Sequence, residues 1–277
     1  MKKIKLLSMA LFVLMILLPL LTFQTEAEVV SDIDNRKLAD NPWVHWQQGE
    51  RKDIRKRIQN YINDRIGFRS DMIMAYTRLN DICFGEMVHP SYRYGKNGYV
   101  FSRGMLSTEY NSYHEVFADM VKSLADYCES RGVAFIFVWE PYKQEIYPEY
   151  ISDGIHYDSK WVVEMMKALE KRNIRYVDNT ITMETEKNRG EEVFNKKFDS
   201  NHWNAKGLFY GSNAILSELQ KQFPGVKPNN YDAFTWNEKL MTTLPVSKYP
   251  IEEWVPDVTI PMDGIENIGD IYRNELV

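Results

Sequence analysis

Hydrophobic positions divide this chain into one long apolar run, several helical stripes and a few short strands. The long run covers residues 6–23, behind Lys2, Lys3 and Lys5, and Gln24-Thr25-Glu26-Ala27-Glu28 follows it. A basic start and about 18 apolar residues predict a signal or a membrane anchor over 1–28, at the lower limit for crossing a bilayer. Thr25 and Ala27 match small-x-small cleavage poorly, which favours an uncleaved anchor. Either outcome places the residues after about Glu28 outside the cytoplasm.

The polar residues that follow read as a linker within 29–50. Ile54, Ile58, Tyr61 and Ile62 then predict a helix over 52–66, broken at Gly67. Met72, Ile73, Tyr76, Leu79 and Cys83 predict a second over 70–84, with Ser70 as its N-cap. Asn97-Gly98, between aromatic and β-branched residues, predicts a hairpin. Val116, Phe117, Met120, Leu124 and Tyr127 predict a long helix over 113–131, ended by Gly132. Val133-Ala134-Phe135-Ile136-Phe137-Val138-Trp139 is continuously apolar, as in a strand buried on both faces. Trp161, Met165 and Leu169 predict a helix over 160–171, and a strand follows over 174–177. Leu208, Ser212, Ile215 and Leu219 share a face of a last helix over 205–222.

Helices alternating with apolar strands predict an α/β fold, a parallel sheet flanked by helices. Functional residues then belong at the C-terminal ends of strands, where Trp139-Glu140-Pro141-Tyr142-Lys143 and Asp178 stand. The domain so predicted covers 51–223. Residues 224–277 show little periodicity and read as an irregular extension of it.

Composition narrows the function. A net charge of -5, with no basic run after the N-terminus, argues against a nucleic-acid surface. Aromatic residues make up 13% of the chain, which suits a packed core and equally a surface that stacks on sugars. Cys83 and Cys128, the two cysteines, either pair or remain as two buried thiols. The five histidines form no spacing of a metal site, and no cofactor is expected. His45 lies between Trp43 and Trp46 and reads as a packing residue. His89, His114 and His156 have no convergent partner in sequence.

The segment Phe198-Asp199-Ser200-Asn201-His202-Trp203-Asn204, followed by Gly207, carries the most chemistry. An esterase or acyltransferase needs a histidine base and a carboxylate that fixes its tautomer. Asp199 and His202 supply that pair three residues apart, just before a helix that Asn204 can cap. The competing reading is that both residues only cap the helix start.

This segment resembles the Asp-x-x-His-x-Asn-x-x-Gly block of SGNH (GDSL-like) hydrolases. Four other stretches resemble, in order, the alginate O-acetyltransferase (AlgJ/AlgX-type) and DHHW branch of that superfamily. Asp34-Asn35-Arg36-Lys37-Leu38-Ala39 with Pro42 is similar to its Glu-Asn-Arg leader. Tyr61-Ile62-Asn63-Asp64-Arg65-Ile66-Gly67-Phe68-Arg69 is similar to its "nDhFgfR" element. Gly95-Lys96-Asn97-Gly98-Tyr99-Val100-Phe101 resembles its "GkdGWlF" hairpin. Pro141-Tyr142-Lys143 with Ile146-Tyr147-Pro148 resembles its "P-x-K…iYP" turn.

The resemblance implies an SGNH-like fold and a Ser-His-Asp triad working outside the cytoplasm. It implies acetyl transfer to hydroxyls of an exported polysaccharide, from an acetyl donor or a membrane acetyl-transfer partner. The membrane itself is a partner through the N-terminal segment. His202 would be the general base, Asp199 its orienting acid, Trp203 a wall of the site or a sugar stacker. Tyr142 and Lys143 would line the substrate groove, or else form a structural turn.

Two departures stand out. The alginate branch places its acid one residue nearer the histidine, in the slot held here by Ser200. Its serine follows the Asp-His block, in a Gly-Asp-Ser strand that this sequence does not contain. Ser212 and Ser217 fall in a predicted helix, and Ser247 lies in Pro245-Val246-Ser247-Lys248-Tyr249-Pro250, which is no nucleophile elbow. Ser102, after the hairpin, is the remaining candidate nucleophile. Three expectations stay open: a shortened member without its serine, a catalytic half on another polypeptide, or a serine not recognised. The functions to separate are acetyl transfer, carbohydrate esterase action with water as acceptor, and non-catalytic polysaccharide binding or assembly.

Overall fold

The computed structural model describes residues 2–24, 30, 31, 33, 36–49, 51–104, 108–245, 247 and 249–259. Thr25, Ala27, Asp34 and Asn35, which carry the cleavage site and part of the leader resemblance, lie outside the described residues, as do Val246 and Lys248. The chain forms two compact units, residues 1–94 with 243–251 and residues 95–242 with 252–277.

The first unit opens with α1 (Lys2–Leu21), which carries no acidic residue in its first turn and Pro19 near its end. Its stretch Lys3–Leu21 is long and apolar enough to cross a membrane, by length and composition. Beyond it, β1 (Val30–Ser31) pairs antiparallel with β2 (Arg36–Lys37). Next come α2 (Pro42–Gln47), α3 (Ile54–Arg65), α4 (Arg69–Phe84) and β3 (Tyr92–Tyr94). The "nDhFgfR" stretch is an ionic lock. Asp64, buried in α3, accepts from Arg36 Nη1 at 2.9 Å and from the Ala39 amide at 2.8 Å, while Arg65 Nη2 donates to the Ala39 carbonyl at 3.2 Å. The Arg36 guanidinium holds the Asp64 carboxyl below the usual carboxylate range.

Two expectations for α4 fail. The helix is preceded by Phe68, in the left-handed region at φ 57°, with no side-chain cap, so Ser70 is not the N-cap. Its predicted apolar side is solvent-facing at Met72, Tyr76, Leu79 and Cys83, because the helix buries Thr77 instead. Both thiols are free, Cys83 exposed and Cys128 half-buried.

The second unit starts at a tight turn. The Gly95 amide bonds the Tyr99 carbonyl at 2.7 Å, with Asn97 and Gly98 at φ 54° and 76°, as an Asn-Gly turn requires. β4 (Val100–Ser102) and α5 (Ser112–Glu129) follow. α5 is capped by Asn111, whose amide in turn donates to His114 Nδ1 at 3.1 Å; His114 is thereby a capping residue. β5 (Phe137–Trp139) leads to α6 (Lys143–Ile146) and α7 (Lys160–Lys171). β6 (Tyr176–Asp178) pairs parallel with β5 in the register Phe137↔Tyr176, Val138↔Val177, Trp139↔Asp178. Helices α8 (Asn179–Asn188) and α9 (Ala205–Gln220) close the order, before β7 (Thr235–Thr243) and β8 (Pro250–Thr259).

The α/β class is as expected, but its parallel sheet is small. Each paired strand has three residues, all half-buried, and Val133 is exposed, so the predicted strand over 133–139 is shorter and less enclosed than its apolar run suggested. The core lies between α5, α7 and this pair: Ala118, Val121, Val162, Met165, Met166, Ala168, Leu169 and Ile174, flanked by Phe137 and Trp139. α5 turns its small residues Ala118, Val121 and Ala125 inward, which lets the two helices approach closely; Val116, Met120, Leu124 and Tyr127 face solvent, against expectation. Arg172 fastens the pair, with Nε on Asp119 at 2.7 Å and Nη2 on Glu115 at 2.8 Å. Beyond α9, the segment read as irregular forms the two-stranded sheet β7–β8.

α9 buries glycines where Leu208 was expected to pack. Leu208 is exposed, while Gly207 and Gly211 are buried against Trp203. A methyl on Gly207 would lie 2.4 Å from the Val193 carbonyl oxygen and 2.6 Å from Trp203 Cβ. Gly207→Ala is therefore expected to destabilise the protein by about 2–3 kcal/mol, read as a lower urea midpoint at unchanged slope.

Candidate active site

Asp199 and His202 sit in the loop closed by an isolated antiparallel bridge, Phe194↔Trp203, just before the start of α9. Asp199 is itself left-handed, at φ 57°. That conformation lets its carboxylate curl back over the turn. Oδ1 accepts from the amides of Asn201 and His202 at 3.0 and 3.1 Å. Oδ2 meets His202 Nδ1 at 2.8 Å. Asn204 then caps α9, accepting from the Gly207 amide at 3.0 Å. So the two readings of the sequence are not exclusive: Asn204 caps the helix, and Asp199 holds the turn and the imidazole together.

The contact fixes the tautomer. A carboxylate can only accept, so the Nδ1 position carries the proton and Nε2 keeps its lone pair. The His202 side chain is 78% exposed against 27% for Asp199, and Nε2 has no partner among the described residues. The arrangement leaves one ring nitrogen open to solvent and holds the other.

The segment entering the turn is held from two directions. Lys143 is fully buried at the start of α6, and its Nζ donates to the carbonyls of Val100 at 3.0 Å and Lys196 at 3.4 Å. The Val100 amide bonds that same Lys196 carbonyl at 2.9 Å. Burial pulls the Lys143 amine down to about 7, although the negative charges of Glu253 and Asp199 oppose this. On the other side, Glu253 of β8 accepts from the amides of Lys196 at 2.6 Å, Lys197 at 2.9 Å and Phe198.

These positions bear on the alternatives left for two residues. Lys143 lines no groove: it is enclosed, and it ties β4 to the segment before Asp199. Its neighbour Glu145 is buried too, bonded to the Tyr142 amide at 3.1 Å and the Tyr157 hydroxyl at 2.9 Å, so the "P-x-K" turn is a structural knot. Trp203 is half-buried, over Gly207 and Gly211 and packed against the cluster that contains Met183, and those packed faces cannot stack on a sugar. Tyr142 does present an exposed side chain just past the end of β5. Asp178, at the end of β6, caps α8 through the Thr180 amide at 2.9 Å.

No serine hydroxyl bonds His202 among the described residues. Ser102 is half-buried, and its Oγ accepts from the Gly104 amide at 3.1 Å. Ser217 donates back to the Asn213 carbonyl at 2.7 Å within α9. Ser200 is 1% exposed, too enclosed to meet a substrate. A serine-histidine contact does occur in the first unit, where sequence showed no partner for His89. His89 Nε2 lies 3.2 Å from Ser247 Oγ. However, His89 Nδ1 accepts from the Ser91 amide at 3.1 Å, so in the neutral ring the proton is on Nε2. That nitrogen donates to Ser247 and cannot deprotonate it.

Glu253 is the site residue that the sequence hid. It stands 54 residues after Asp199, in a stretch without clear periodicity, and nothing local marks it.

Comparison with known proteins places residues 93–245 in a match to the family described as the SGNH hydrolase-like domain of the acetyltransferase AlgX. Among solved structures, the O-acetyltransferase domain of Pseudomonas putida AlgJ is 17% identical, with a TM-score of 0.49 over 61% of this chain. Bacillus cereus PatB1 carrying a sulfonyl adduct is 14% identical, with a TM-score of 0.48 over 61%. Pseudomonas aeruginosa AlgX is 16% identical, with a TM-score of 0.44 over 65%. The chain spans 65%, 55% and 45% of the lengths of these three. No curated protein compared with it matches.

Proposed function

The chain belongs to the family of the SGNH hydrolase-like acetyltransferase AlgX, and from that premise we propose that it serves O-acetylation of an exported or cell-surface polysaccharide. The observation that carries this reading is the 2.8 Å contact between His202 Nδ1 and Asp199, which leaves Nε2 as an open base. In the proposed reaction a hydroxyl oxygen attacks the acetyl carbonyl of the donor while Nε2 takes its proton. The tetrahedral intermediate collapses, the donor's leaving group departs, and the imidazolium returns the proton to it. Asp199 stabilises the imidazolium meanwhile. A serine nucleophile would run this sequence twice, once to form the acyl-enzyme and once to pass the acetyl group to the sugar.

The work is proposed to take place outside the cytoplasm, with α1 as signal or anchor and the acetyl group delivered by a donor or a membrane acetyl-transfer partner. Tyr142 is the proposed contact for the acceptor polysaccharide. With water as acceptor the same steps describe a carbohydrate esterase. A second reading, a non-catalytic polysaccharide-binding or assembly protein, is favoured by one observation: no serine hydroxyl bonds His202 among the described residues.

The full chain, treated with a fluorophosphonate probe and separately with p-nitrophenyl acetate and an oligosaccharide acceptor, tests this. Labelling of one serine together with acetylated acceptor is the expected result. Acetylated acceptor without labelling places the transfer on the His202 base alone. Folded protein that binds the oligosaccharide but neither labels nor turns over establishes the second reading.

A further inference from the structure

Residues 196–198 are gripped on both sides just before the turn that holds the proposed base. Three successive amides, of Lys196, Lys197 and Phe198, converge on the one carboxylate of Glu253. The carbonyl of Lys196 faces the other way, to the Val100 amide and the buried Lys143 amine. We infer that Glu253 and Lys143 are positioning residues for the Asp199–His202 pair, acting on it through the backbone of residues 196–198. The inference rests on the reading of that pair as the base of the site.

The argument is one of determinacy. Asp199 at φ 57° is a non-glycine residue in the left-handed region, a conformation that persists when its surroundings over-determine it. Phe198 directly precedes it, so fixing the Phe198 amide fixes one end of the peptide that enters the turn. Charge-assisted bonds to backbone amides are among the stronger hydrogen bonds available. Lys143 meets its two carbonyls as ammonium or as neutral amine, since either form has enough N–H donors. Neither residue touches His202. Each reaches it only by setting where the Asp199 carboxylate lies.

A merely structural Glu253 would pin β8 to residues 196–198 without affecting the imidazole. Nitrogen NMR of the full chain labelled in histidine separates the two roles. His202 is expected mainly as the Nδ1–H tautomer. In Glu253→Gln the side-chain amide can satisfy fewer of the three backbone donors, and the Nε2–H form of His202 is expected to rise several-fold. The ring signals of His114, bonded only within the start of α5 and its neighbours, should stay in place. Where the wild type turns over, kcat should fall by about 100-fold with KM nearly constant. If Glu253→Gln does not fold, Glu253→Asp, which withdraws the carboxylate by one methylene, takes its place under the same criterion. A folded variant whose His202 ring is unchanged overturns the inference, whatever its activity. A tautomer change in a protein that never transfers acetyl groups supports the inference and removes the catalytic reading instead.

Discussion

Asp199→Asn is expected to lower the proposed acetyl transfer by about 10³–10⁴-fold while leaving the turn in place, and His202→Ala to lower it at least as far. The first substitution is informative because Asp199 performs two tasks with two oxygens. Oδ1 accepts the amides of Asn201 and His202, and an asparagine retains that acceptor. Asparagine also tolerates the left-handed backbone that the residue adopts. Only Oδ2, the partner of His202 Nδ1, is replaced by an NH₂ group. A donor now faces Nδ1, so the imidazole must carry its proton on Nε2, where it can no longer take one from a hydroxyl. The variant should keep its circular dichroism and unfolding midpoint and lose turnover. Comparable losses in Asp199→Asn and His202→Ala mark residues that act as a unit, and the double variant should then cost little more than either one. An Asp199→Asn protein with wild-type turnover would mean that the carboxylate serves only the turn.

This pair was legible in the sequence because its contact is local: three residues separate donor and acceptor, and the Asn204 cap is equally short-range. The helix over 160–171 was legible for the same reason, since Met165 and Leu169 repeat at helical spacing and both are buried. What was not legible depends on partners distant in sequence. The stripe on α5 from Val116 to Tyr127 has the right period, but packing chose the face of Ala118, Val121 and Ala125, whose small side chains allow a closer approach to α7. Period identifies a helix and cannot say which of two apolar faces will be covered. Gly207 and Gly211 are poor helix formers by propensity, and their place in α9 depends on Trp203 lying on them. His89 gains Ser247 across 158 residues. Lys143, a charged residue beside a strand end, read equally as a groove residue and as part of a structural turn. Its burial follows from the carbonyls of Val100 and Lys196, and no feature of Pro141-Tyr142-Lys143 announces them.

The burial of that amine gives a second large expectation. The stability of the wild type relative to Lys143→Met should rise by about 4 kcal/mol between pH 7 and pH 10. Burial lowers the folded-state pKa of Lys143 from 10.5 to about 7. Between these values the unfolded chain holds a proton that the folded chain has released. Unfolding therefore takes up a proton, and stability increases with pH through this window. Below about 7 both states are protonated, and the full cost of burying the ammonium is present. Methionine has similar length and no charge to desolvate, so its variant lacks this pH slope. It leaves the Val100 carbonyl without the Lys143 donor, which costs about 1–3 kcal/mol at every pH. The two effects oppose each other at low pH; at high pH the desolvation cost has vanished and only the lost hydrogen bond separates the two proteins. The variant should approach or exceed wild-type stability near pH 6 and fall clearly below it near pH 10. Other groups that titrate there, such as the tyrosines, are common to both proteins and cancel in the difference where they lie apart from Lys143. Urea unfolding of both proteins at matched pH values measures the difference directly. Parallel stability curves would mean that the amine titrates alike in the folded and unfolded chain.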